Sequence, residues 1–101
     1  MKVYWTLEAR ARLLDIQAYI SQFSPKAARL VALRLLQRSR KLVSPLISGR
    51  RLPECPETEL REALERPFRL IYLAKDDRIE ILTVKHYQQR LRRNPKGMNK
   101  S

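Results

Sequence analysis

Four residues in the second half of the chain are of types that cut or grip a phosphodiester without a metal: Arg61, Arg69, His86 and Tyr87. RNA can be cleaved when its own 2′-hydroxyl attacks the neighbouring phosphate. A base takes that proton and an acid protonates the leaving 5′-oxygen. Cations held in place stabilise the charge that builds on the phosphate, and losing one such donor typically costs on the order of 100- to 1000-fold in rate. Arg61 and Arg69 could supply those cations, with Arg51 from a preceding loop. Histidine is the side chain that titrates near neutrality, so His86 could serve as base or acid. Tyr87 could stack on a base or hydrogen-bond to the phosphate. Glu62 is a weaker candidate, because its neighbour Arg61 points to the other face of a regular strand.

Each of these residues also has a plain structural reading. A lone histidine at a strand end is often a surface residue, Tyr87 could cap the core, and Arg61 could pair with a nearby glutamate. Arg69 opens an otherwise apolar strand, where an arginine must find a partner or an anionic ligand. The basic residues Arg50, Arg51, Lys85, Arg90, Arg92 and Arg93 form a second set, suited to holding a nucleic acid or a target protein.

Other chemistries are excluded by residue type. There is one histidine and one cysteine, with no HExxH or CxxC spacing, so no metal site is expected. Gly49 and Gly97 are the only glycines, which removes phosphate loops and dinucleotide fingerprints. No strand-to-helix nucleophile elbow is present. No cofactor is expected. Cys55 has no partner for an internal disulfide and reads as a loop thiol.

With 101 residues the chain suggests one domain. Lys and Arg number 22 against 10 Asp and Glu, a formal net charge of +12. Such a surplus favours a polyanionic or acidic partner. No run approaches the roughly 18 apolar residues of a membrane span. The opening MKVYWTLEAR lacks the apolar core of a signal peptide. A cytoplasmic protein with no membrane partner is expected.

The elements that must position these residues follow from periodicity. Lys2 to Trp5 is a β-favouring run. Thr6 can cap a helix, and Ala9, Leu13, Ile16, Ile20 and Phe23 mark one apolar face. Ser24-Pro25 ends that helix and starts a second, whose face carries Ala28, Val31, Leu35 and Leu42. So tight a junction predicts an antiparallel helical hairpin. Ser44 to Pro56 reads as a loop. Strands are predicted over Glu59 to Leu64, Arg69 to Ala74 and Ile79 to Lys85, with a hairpin turn at Lys75 to Arg78. The expected fold is α+β: an antiparallel sheet packed by an N-terminal helical hairpin, in the order β-α-α-β-β-β, with the other sheet face open.

The order and spacing of several short pieces resemble the RelE/ParE family of type II toxin–antitoxin systems. The pieces are W-T-x-x-A (Trp5, Thr6, Ala9), G-R-R-L-P-E (Gly49 to Glu54), L-R-E (Leu60 to Glu62), P-F-R-L-I-Y (Pro67 to Tyr72) and D-D-R-I-E-I-L-T-V-K-H (Asp76 to His86). The resemblance implies a single toxin domain over residues 1–101, with a basic flexible tail from about residue 92. It implies a small acidic antitoxin that wraps the toxin. RelE-like members are ribosome-dependent mRNA endonucleases, and Arg61, Arg69, His86 and Tyr87 match their catalytic positions loosely. ParE-like members are not nucleases and inhibit DNA gyrase. The overall pattern sits nearer the ParE-like, plasmid-stabilisation branch, while His86-Tyr87 and the charge point towards RNA cleavage. Enzyme or not therefore stays open between the branches, and a non-catalytic basic nucleic-acid-binding module is the third reading.

Overall fold

A computed structural model describes residues 1–44 and 48–89. Along the chain lie strand β1 (Lys2–Trp5), helix α1 (Leu7–Ser21), helix α2 (Pro25–Arg40), a 3-10 turn (Lys41–Val43), and strands β2 (Arg50–Arg51), β3 (Arg61–Glu65), β4 (Phe68–Ala74) and β5 (Arg78–His86). Two helices pack on one face of a five-stranded sheet ordered β1-β5-β4-β3-β2. The α+β class and the order of helices and long strands match the sequence reading.

Local chemistry sets the helix boundaries. The Thr6 hydroxyl accepts from Ala9 N at 3.1 Å and donates to Leu82 O at 3.1 Å, so the cap of α1 is also tied to β5. Ser24 Oγ accepts from Ala27 N at 3.0 Å, and Pro25 stands where its missing N–H costs nothing. Trp5 Nε1 donates to Ser39 Oγ at 3.2 Å, which links β1 to α2. Between the layers lie Ala9, Leu35, Leu42, Leu70, Tyr72, Ile81 and Val84, all nearly inaccessible to water. Burying one such aliphatic side chain contributes about 1.5–3 kcal/mol.

Four expectations change. The sheet is mixed, because β1 joins β5 in parallel, with Val3 opposite Ile79 and Trp5 opposite Ile81. The predicted Ser44 to Pro56 loop contains β2, whose Arg50 and Arg51 pair with Glu62 and Arg61 of β3. The helix-free face is not open: the segment after β2 folds over it, and Leu52, Cys55 and Ile71 form a second small core with Leu60 against it. Cys55 is thus a buried thiol. Phe23 lies beyond the end of α1 and is 74% exposed, edge-on to Tyr19 with ring centroids 5.5 Å apart, so it leaves the inner face predicted for it.

Candidate functional site

Sheet register decides which side chains can meet. Residues directly opposite on neighbouring strands share a face. Leu64, Arg69 and Lys85 are in register, as are Glu62, Ile71 and Thr83, and these point away from the helices. Arg61 is opposite Tyr72, and Phe68 opposite His86, on the helix side. The four residues with catalytic potential therefore do not form one cluster.

Arg69 lies at the floor of a cleft of about 380 Å³ on the helix-free face. Its side chain is 4% exposed. Nε donates to Glu62 Oε1 at 2.9 Å, and Nη1 donates to Glu54 Oε2 at 2.8 Å and to Gln89 O at 2.6 Å. Nη2 donates to Glu54 Oε1 at 2.9 Å and stands 2.8 Å from Glu62 Oε1. A guanidinium has five N–H donors, so none remains for a ligand. Burial alone would pull the Arg69 pKa down, but hydrogen bonding and attraction to Glu54 and Glu62 outweigh it and leave it raised. Glu62, itself buried, also accepts from Arg50 Nε at 2.7 Å. Two arginines and two glutamates thus balance across the floor.

The rim is less constrained. Arg50 remains 68% exposed outside its contact with Glu62. Arg66, in the turn between β3 and β4, lays its guanidinium 5.1 Å from the centre of the Tyr87 ring. Tyr87 N donates to Pro67 O at 2.7 Å, which fixes Tyr87 beside that turn with its ring 40% exposed. Arg66 and Glu54 were missed by sequence reasoning. The only signal for Arg66 was its place before Pro67, and nothing local marked Glu54.

The remaining candidates lie elsewhere. His86 stacks on Tyr87 with ring centroids 5.2 Å apart, but it borders an apolar groove with Ile16, Tyr19, Ile20 and Phe68 on the helix side. Its Nδ1 accepts from Gln88 N at 3.2 Å. Arg61 donates to Gly49 O at 3.2 Å near the opposite end of β3. Arg51 donates to Thr58 O and pairs with Glu59 at 3.7 Å. Lys85 shares the face of Arg69 but not the cleft lining. Burial, with Arg12 and Arg69 nearby, lowers its pKa against the pull of Glu8 and Glu54. Arg90, Arg92 and Arg93 lie outside the described residues. Among the described residues no group of His, Cys, Asp and Glu could hold a metal ion, and no helix is long and apolar enough to cross a membrane.

Comparison with known proteins bears on the whole chain. A family model described as the ParE toxin of type II toxin–antitoxin systems, parDE, matches residues 3–91. Toxin RelE2 of Caulobacter vibrioides (strain ATCC 19089 / CIP 103742 / CB 15) is 35% identical over 86 residues, which is 84% of this chain and 93% of the relative. A chain from the chromosomal ParDE system of P. aeruginosa superposes with a TM-score of 0.69 at 28% identity, covering 85% of this chain and 95% of that one. A chain of the RelBE2 toxin–antitoxin complex from Mycobacterium tuberculosis gives a TM-score of 0.55 at 24% identity, covering 84% and 88%, a likeness of fold.

Proposed function

The chain belongs to the ParE toxin family of type II toxin–antitoxin systems, and from that membership we propose that it arrests growth by poisoning DNA gyrase. It is a toxin of such a system, and its solved relatives come from toxin–antitoxin systems, which supports a cognate antitoxin as its partner. Its action belongs in the cytoplasm, where its target works.

The state of Arg69 carries the choice of target. Cleaving a phosphodiester needs a cation free to meet the phosphate, with an acid and a base in reach. Arg69 gives its N–H groups to Glu54, Glu62 and Gln89. His86 and Arg61 belong to the other face of the sheet. What the cleft offers a partner is its rim of Arg50, Arg66 and Tyr87. Arginine and tyrosine are the residues that most often anchor protein interfaces, so this rim suits an acidic protein surface better than a reacting phosphate.

Ribosome-dependent mRNA cleavage is the second reading. The Arg66–Tyr87 stack favours it, since an exposed aromatic beside a cation is also a platform for a nucleobase. Purified toxin tested side by side on gyrase with plasmid DNA and on translating ribosomes separates the two. Gyrase-dependent DNA breaks with intact mRNA support the proposal. Cleaved mRNA with gyrase unaffected replaces it with the nuclease.

A further inference from the structure

We propose that the outward face of α2 is a docking surface for an acidic, amphipathic segment of the antitoxin. The inner side of α2 is spent on the core through Ala28, Ala32, Leu35 and Ser39. At about 100° per residue, the opposite side centres on Leu30 and Leu33. They are 48% and 47% exposed. Arg29 and Arg40 flank them on one side, and Arg34 and Lys41 on the other, all exposed. None of the ion pairs among the described residues involves these four cations. No acidic residue occurs between Asp15 and Glu54, so the sequence supplies no local counter-charge.

A single exposed leucine means little. Two leucines one turn apart, framed by cations of one sign, have the anatomy of an interface: an apolar centre within a charged rim. A surface made for phosphates alone would not centre on leucines. Its complement is a helix with apolar anchors and acidic flanks, laid along the face. The cleft lies on the other side of the sheet. A target seated in the cleft therefore leaves α2 uncovered, and the antitoxin is the remaining partner. A chain of charge +12 also gives an acidic antitoxin a long-range attraction towards this face. The assignment rests on the toxin–antitoxin reading, and on neither choice of target.

The test is equilibrium binding of purified toxin to its labelled cognate antitoxin. Leu30→Ser with Leu33→Ser should weaken binding roughly tenfold or more, because these side chains would be the buried anchors. Arg29→Ala with Arg40→Ala should weaken it less and flatten its salt dependence. Arg50→Ala, on the other side of the sheet, is the control. Hydrogen exchange on the wild-type complex needs no variant and should show the α2 amides newly protected by the antitoxin. Unchanged affinity in both double variants, or α2 exchange unaffected by the antitoxin, overturns the proposal. So does a result in which the arginines alone matter and a short DNA duplex displaces the antitoxin, which would make this a nucleic-acid surface. Failure of the wild-type toxin to bind its antitoxin at all would refute the toxin–antitoxin reading itself.

Discussion

Arg69 and Glu54 meet as a two-point pair, Nη1 to Oε2 at 2.8 Å and Nη2 to Oε1 at 2.9 Å, with side chains only 4% and 8% exposed. The pair fastens the segment after β2 to the middle of the sheet. Arg69→Met should destabilise the protein by about 3–5 kcal/mol, because it leaves buried carboxylates without their cation. Replacing the set together, Arg69→Met with Glu54→Leu and Glu62→Leu, should restore most of that loss. Urea denaturation of the single and triple variants measures both.

Gly49 is a second point of dependence. A Cβ there would stand 1.8 Å from the backbone oxygen of Glu62, and backbone cannot step aside as a flexible side chain can. Gly49 N also donates to Tyr72 Oη at 2.7 Å, so the glycine seats β2 over the core tyrosine. Gly49→Ala should cost at least 1–3 kcal/mol, roughly the usual cost of overpacking. Tyr72→Phe, which removes only the hydroxyl, should cost about 1 kcal/mol. Thermal melts of the two variants would show the larger drop for Gly49→Ala.

The rim and the helix-side residues should separate function from stability. Arg66→Ala and Tyr87→Ala should each reduce toxicity strongly while leaving folding stability within about 1 kcal/mol, since both side chains are exposed at the cleft mouth. His86→Ala and Arg61→Ala should leave toxicity nearly intact. Growth arrest after induction, read beside the melting temperature of each variant, tests this. Full toxicity in the Arg66 and Tyr87 variants would remove the cleft from the account.

Lys85 gives a pH signature. Burial lowers its pKa in the folded state, so below that lowered value the folded protein carries a partly desolvated charge that the unfolded chain carries in water. As pH rises from the folded pKa towards the ordinary lysine value, the folded state loses the charge first and stability is gained. Lys85→Met should therefore be more stable than wild type at neutral pH, with the difference shrinking at alkaline pH. Chemical denaturation of both proteins across that range measures it. A difference that grows with pH would contradict the assignment.

The helices, their caps and the three long strands were legible because each rests on local signals: Thr6 and Ser24 at helix starts, the apolar spacing of α2, and the Lys75 to Arg78 turn, which closes with Lys75 N donating to Arg78 O at 2.8 Å. The parallel pairing of β1 was not, because a four-residue strand carries no mark of its neighbour's direction. Strand β2 escaped notice because two arginines between prolines show no alternation. The site was read less well for one physical reason. Whether Arg61, Arg69 and His86 share a face depends on strand register, here Leu64 opposite Arg69, and on the irregularity at Ile71 and Tyr72 that shifts β4 against β5. The expectation that Arg69 must find a partner was sound, and the partners are Glu54 and Glu62.

The central claim is that this toxin acts on gyrase through a cleft whose floor arginine is already occupied. The most direct measurement is the formation of linear DNA by purified gyrase and supercoiled plasmid on adding the toxin, with mRNA integrity on translating ribosomes followed in parallel. The account expects gyrase-dependent linear DNA at toxin levels that leave mRNA whole. Site-specific mRNA cleavage at levels that leave gyrase unaffected would contradict it.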